Sequence, residues 1–162
     1  MKKALLTVLI CLFTVSFAFA QENGTAKEAQ DLVAKAIAYY KAEGKDKAFA
    51  AISDPKGQFI KKDLYVFIGN LNGVVFANCA NKALVGKNLY ELNDSTLKQF
   101  TKEIMDGAKS KGKGWFDYSW RNPTTKKIER RLSYYYQMES DFVFICGSHK
   151  PKKSRPRYLP IG

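Results

Sequence analysis

Histidine is nearly absent from this chain and cysteine is scarce: the 162 residues include one of the first and three of the second. The single histidine, His149, has no carboxylate close to it in sequence, so no nucleophile with an oriented base is legible along the chain. No Cys-x-x-Cys or Cys-x-x-Cys-His spacing occurs, which excludes a thioredoxin-type redox centre and attached haem. One histidine and separated cysteines do not build a zinc site, and no glycine-rich phosphate loop is present. Asp94 and Glu91 read as charges at the start of a helix, not as an acid–base pair. These shortages point to a binding module that is not an enzyme and needs no cofactor.

Long apolar runs are missing too, apart from Ala4 to Phe17. Lys2 and Lys3 before that run and Ala18-Phe19-Ala20 after it complete the pattern of a cleaved secretory signal, residues 1–20. The run is shorter than the roughly 20 residues of a membrane-spanning helix. Cys11 lies inside it, where a lipidated cysteine would mark its end. The expectation is an exported protein, periplasmic or secreted, whose mature chain of about 140 residues is the length of one domain. Residues 21–149 are expected to form that domain. Residues 150–162, with Lys150-Pro151-Lys152-Lys153-Ser154-Arg155-Pro156-Arg157, lack apolar periodicity and are expected to be a disordered basic tail.

Acidic residues are outnumbered, with 15 Asp and Glu against 27 Lys and Arg and a net charge of +12. Such a balance favours anionic partners: small acids, lipid head groups or wall polymers. Nucleic acid is not expected for an exported protein, and a solvated lysine surface is the plainer account of most of the charge. Cys79 and Cys146 remain after signal cleavage, both at expected strand ends in an oxidising compartment. They are candidates for a disulfide or for two buried thiols, since sequence does not fix the distance between them.

What is present begins with a strong helix over Thr25 to Glu43. Ala29, Leu32, Val33, Ala36, Ile37 and Tyr40 recur at spacings of three and four, and Thr25 with Glu28 makes a capping box. Gly44 ends it, and a shorter helix is expected over Lys47 to Ile52. From Leu64 the pattern turns extended: Leu64 to Ile68, a turn through Gly69 to Gly73, then Val74 to Asn78 as a hairpin partner. Asp94 or Ser95 is expected to cap a helix with Leu97, Phe100, Ile104 and Ala108 on one face. Three strands follow, Trp115 to Trp120, Ile128 to Met138 and Phe142 to Gly147. The fold class is therefore α+β, a five-stranded antiparallel sheet backed by a long N-terminal helix.

The most informative stretch is Gly114-Trp115-Phe116-Asp117-Tyr118-Ser119-Trp120-Arg121-Asn122-Pro123 with Arg131-Leu132-Ser133-Tyr134. Two alternating strands there project aromatic rings and a guanidinium, the materials of a pocket for a small anion. Arg131 is the leading ligand contact, sharing a face with Ser133 and Tyr135. By parity Tyr118 and Trp120 lie on one side and Trp115 and Asp117 on the other. Tyr65 and Phe67 share a face of the first strand and could floor the pocket. Asp117 would select an amine if it faced the ligand. Core packing is the competing account of every ring.

From Asp63 to Gly147 the chain resembles the single Cache domain, the extracytoplasmic PAS-like sensor module of bacterial chemoreceptors and sensor kinases. The matching pieces are Asp63-Leu64-Tyr65-Val66-Phe67, the hairpin ending Ala77-Asn78, the loop Leu84 to Asn88, the Gly114 to Trp120 stretch with Asn122-Pro123, and Arg131 to Tyr134. The family commonly has a histidine–proline pair after the hairpin, where this chain has Asn78-Cys79. The resemblance implies a freestanding exported sensor domain that captures a small organic acid or similar polar metabolite and presents it to a membrane receptor or kinase. The rival is an interaction protein docking through its basic surface and tail onto a membrane protein, anionic lipid or wall polymer. Oligomeric state is left open.

Overall fold

The computed structural model describes residues 23–138 and 141–150. The expected signal segment and the expected tail from residue 151 onward lie outside them. The first helix, α1, runs Ala26–Glu43 and is capped as its sequence requires. Thr25 Oγ1 accepts from the Glu28 amide at 3.1 Å, and Glu28 accepts in return from the Thr25 amide at 2.8 Å. Gly44 then takes a φ of +81°, a left-handed value that suits glycine, and turns the chain into α2, Lys45–Ile52.

Six strands follow in one sheet: β1 Ile60–Lys61, β2 Leu64–Asn70, β3 Val75–Asn78, β4 Lys113–Arg121, β5 Ile128–Gln137 and β6 Phe142–Lys150. Every pairing is antiparallel, with β2 next to β6, β6 next to β5 and β5 next to β4, while β1 and β3 both pair with β2. The expected five strands are all present. The two-residue β1 is an addition, and the last strand continues past Gly147 to Lys150, which pairs with Arg130. β2 and β6 are central and buried on both faces, and for that reason they read as near-continuous apolar runs.

Two cores sandwich the sheet. On one side α1 and α2 bury Ala29, Leu32, Val33, Ala36 and Ile52 against Leu64, Val66, Ile68, Phe144 and Cys146. On the other, α3, Phe100–Lys111, lays Phe100, Ile104, Met105 and Ala108 on Tyr118, Tyr135, Val143 and Ile145. α3 starts later than its sequence signals suggest. Asp94 caps no helix. Its Oδ1 accepts from the Thr96 and Lys98 amides and its Oδ2 from the Ser119 amide at 2.7 Å, which tethers the loop to β4. Leu97 is left in a left-handed turn at φ +63° and 82% exposed, off the apolar stripe expected for it.

Gly147 occupies the middle of the sheet face that α3 covers. A Cβ there would lie 2.2 Å from Ser133 Oγ and 2.6 Å from the Leu132 carbonyl oxygen. Only glycine leaves space for the Ser133 hydroxyl on that floor. Gly147→Ala is expected to destabilise the domain by about 1–3 kcal/mol, measured as a lower urea midpoint with an unchanged slope; a midpoint equal to wild type would remove this constraint.

Candidate functional site

Strand register decides which side chains meet. Tyr118 on β4 lies opposite Arg131 on β5, and Arg131 lies opposite His149 on β6. All three point to the α3 side, as do Tyr65 and Phe67 on β2, Ser133 on β5 and Trp120 on β4. With no side chain at Gly147, the Arg131 side chain crosses β6 and places its guanidinium 4.1 Å from the centre of the Tyr65 ring.

Arg131 is fully buried, and among the described residues no carboxylate is hydrogen-bonded to it. Its Nε donates to Ser133 Oγ at 3.2 Å, and Ser133 is also bonded to the Tyr118 hydroxyl at 3.2 Å. Its Nη1 lies 3.3 Å from His149 Nε2. His149 Nδ1 lies 3.3 Å from Asp63 Oδ2, which also accepts from the His149 backbone amide. A carboxylate accepts, so Nδ1 carries the proton and Nε2 is left to accept from Arg131. Asp63 Oδ1 accepts from the Gly24 amide at 2.6 Å, and the Asn23 side chain donates to the His149 carbonyl at 2.7 Å. Arg131 Nη2 is buried and, among the described residues, has no hydrogen-bond partner.

Burial works against the Asp63 carboxylate's charge, yet the hydrogen bonds from His149 and Gly24 outweigh it and hold its pKa below the ordinary value. Burial also lowers the pKa of His149; Asp63 opposes that shift and the Arg131 charge adds to it. Burial pushes the Tyr65 phenol up to about 12.

Tyr65, Phe67, Tyr118 and Trp120 wall an enclosed apolar cavity closed from the α3 side by Phe100, Ile104 and Met105 and from the β3 side by Asn78 and Leu84. Phe100 stacks on Tyr118 with ring centres 4.5 Å apart and planes 4° apart, and tilts against Trp120 at 5.0 Å. The space left is about 20 Å³, room for little more than one water. Outside it lies an open cleft of about 330 Å³ lined by Asn78, Asn81, Arg121, Asn122 and Lys126. Tyr65 and Trp120 form the partition, being walls of both.

The matching family is the single Cache domain 2, which aligns with residues 1–149. The chain belongs to it. Among solved structures that resemble this Cache domain, a methyl-accepting chemotaxis protein from Vibrio parahaemolyticus RIMD 2210633 is 21% identical, with 76% of this chain and 86% of that one covered and a TM-score of 0.66. A periplasmic sensor domain of a chemotaxis protein is 20% identical over 76% and 88% of the two chains, TM-score 0.60. A Cache chemosensory domain described for carboxylic acid recognition is 19% identical over 76% and 86%, TM-score 0.60. At these identities the likeness establishes the fold. No curated protein matches. A Cache domain is a sensor module and not a catalyst; among the described residues no group of three or more His, Cys, Asp or Glu is placed to hold a metal.

The expected site residues divide into three groups. Tyr65, Phe67, Tyr118 and Trp120 line the cavity of this Cache domain. Arg131 and Ser133 lie behind that wall, and Tyr135 is a packing residue whose hydroxyl is wedged between Gly107 and Gly114. Asp117 is on the opposite face, as parity allows, and its Oδ2 accepts from Arg130 Nε at 2.6 Å, so it does not join the pocket. Cys79 and Cys146 are free thiols. Cys146 is packed in the α1-side core while Cys79 opens on a cleft beside Tyr65. Sequence reasoning missed Asp63 and His149: they are 86 positions apart, and only the β2–β6 pairing joins them.

The depressed pKa of His149 sets a pH dependence. Below its ordinary value of 6.5 the unfolded chain binds a proton that the folded domain refuses, so stability falls as pH drops through 6.5. The slope is at most about 1.4 kcal/mol per pH unit. The Asp63 contribution persists above 3.8 and is lost only at lower pH. Urea midpoints are expected to fall between about pH 7 and about pH 5.5 in wild type and to stay level in His149→Gln; equal slopes in both proteins would show that His149 is not the titrating group.

Proposed function

We propose that this Cache domain works on the extracytoplasmic side of the membrane, capturing a small organic acid for presentation to a membrane receptor or kinase. One observation carries the proposal. Arg131 Nη2 is a buried, charged donor without a hydrogen-bond partner among the described residues, one ring away from an apolar cavity. A buried unpaired donor is costly, and a carboxylate is the group a guanidinium fork satisfies best. The apolar rings would enclose the hydrocarbon part of the acid while Arg131 holds the charge. Carboxylic acid recognition by a Cache domain of the same fold supports the choice of ligand class.

The cavity is too small for an organic acid as it stands, so capture requires the partition to move. Tyr65 and Trp120 are the aromatic walls shared with the outer cleft, beside Asn78 and Leu84, and swinging Tyr65 off Arg131 would both enlarge the space and uncover Nη2. Arg121 and Lys126 at the cleft would draw an anion inward.

A thermal-shift screen of residues 21–162 against short carboxylates, amino acids and amines tests this. Carboxylates are expected to raise the midpoint by several degrees, as about 2.7 kcal/mol of linkage does at a hundredfold excess over Kd. Trp120→Ala is expected to weaken that binding by about tenfold or more through loss of ring contact. A response confined to amines would reverse the assigned ligand charge.

A further inference from the structure

Charge balance in the buried cluster limits what the site can accept. Asp63, Arg131 and His149 are 1%, 0% and 0% exposed. Asp63 brings one negative charge and Arg131 one positive. His149 brings none, because its Nδ1 proton is committed to Asp63 and its Nε2 accepts from Arg131. The cluster is neutral as it stands. Other groups around His149 leave that sum unchanged. Glu129 acts from the rim of β5, where it accepts from Asn122 and Thr125. Lys62 and Lys150 are exposed to water. Tyr65, Ser133 and Cys146 are uncharged at neutral pH, and Asn23 and Gly24 offer only amides.

A monoanion bound at Arg131 would give this dry cluster a net negative charge, which low-dielectric surroundings disfavour. It would also disturb the hydrogen bonds. Holding a carboxylate through two parallel bonds pairs Nη2 with Nε or with Nη1; Nε is engaged by Ser133 Oγ, and Nη1, on the end of the fork, is the donor that now satisfies His149 Nε2. Leaving that nitrogen bare in the interior is unfavourable. We propose that the domain captures its organic acid together with one proton, which passes from solvent to His149 Nε2. The imidazolium then donates from Nδ1 to Asp63 and from Nε2 to the incoming carboxylate. The four charges, Asp63 and ligand negative and Arg131 and His149 positive, sum to zero.

This deepens the capture proposal and rests on Arg131 as the anion contact. By linkage, protons tighten ligand binding and ligand raises the proton affinity of His149 to the same degree. The sensor would therefore respond to an organic acid more strongly in acidic surroundings.

His149 is the only histidine in the chain, so its ring resonances report its charge without ambiguity in untagged protein. Propionate serves as the probe. Without it the ring is expected to titrate below its ordinary 6.5, and with it to hold its proton through neutral pH. Calorimetry in two buffers of different ionisation heat is expected to give about one proton taken up per propionate near neutral pH. Affinity should tighten by up to about tenfold for each pH unit lowered. His149→Gln should bind propionate more weakly than wild type, with no proton uptake and a flat pH profile. Binding without uptake in wild type, or uptake that persists in His149→Gln, overturns proton-coupled capture and leaves anion capture standing. Absence of propionate binding at every pH overturns both.

Discussion

Arg131 takes a permanent positive charge into a part of the sheet that water does not reach, where a lone guanidinium would cost several kcal/mol. The interior around it is arranged to meet that cost. Gly147 clears a path across β6, Ser133 and His149 accept two of its donors, the Tyr65 ring covers its face, and Asp63 supplies the opposite charge through His149. The same groups hold the domain's extremities. Asp63 binds the Gly24 amide, and Asn23 binds the His149 carbonyl. One polar network therefore runs from the cavity wall at Tyr118 to the segment preceding α1 and to the end of the last strand. In a sensor, those are the places from which a change at the ligand site has to leave the domain.

The aromatic rings do two jobs that pull in different directions. Stacked as they are, Phe100, Tyr118 and Trp120 complete the core beneath α3 and leave space for about one water. A sensor must also admit its ligand, and that means breaking part of this packing. The loop between β3 and α3 closes the cavity and is tied to β3 and its turn by the Gly86 amide to the Val75 carbonyl at 2.8 Å, the Val75 amide to the Lys87 carbonyl at 3.0 Å and the Leu89 amide to the Gly73 carbonyl at 2.9 Å. It is tied to β4 by the Ser119 amide to Asp94 at 2.7 Å and Lys98 Nζ to the Asp117 carbonyl at 3.2 Å, and to α3 by the Tyr90 hydroxyl to Asp106 at 3.0 Å. Such a segment opens at lower cost than the strands it covers. In the proposed capture, ligand binding and local opening would draw on this same segment.

Much of this was legible in the chain. The capping box at Thr25 and the three-and-four spacing of α1, the alternation in β5, and the apolar runs of β2 and β6 are local signals, set by backbone hydrogen bonding and by which side each residue turns to. Parity alone separated Tyr118 and Trp120 from Trp115 and Asp117, and the register bears that out. Local signals misled where a distant partner intervened. Asp94 has the makings of a helix cap, but the Ser119 amide claims one of its oxygens and the turn that results excludes Leu97 from the helix. His149 seemed idle because its carboxylate partner is not its neighbour in sequence.

The sequence by itself determined an α+β domain with an arginine and aromatic rings on its strands, because residue periodicity and turn chemistry are properties of neighbouring positions, and its motifs resemble those of the Cache family. Tertiary structure alone decided strand order, and with it which charges meet. Placing β6 between β2 and β5 puts His149 between Asp63 and Arg131. It also decided that Arg131 lies behind the cavity wall and not in it, since the empty position at Gly147 lets the side chain reach Tyr65. Pairing across a sheet depends on contacts far apart in the chain, and no local pattern records them.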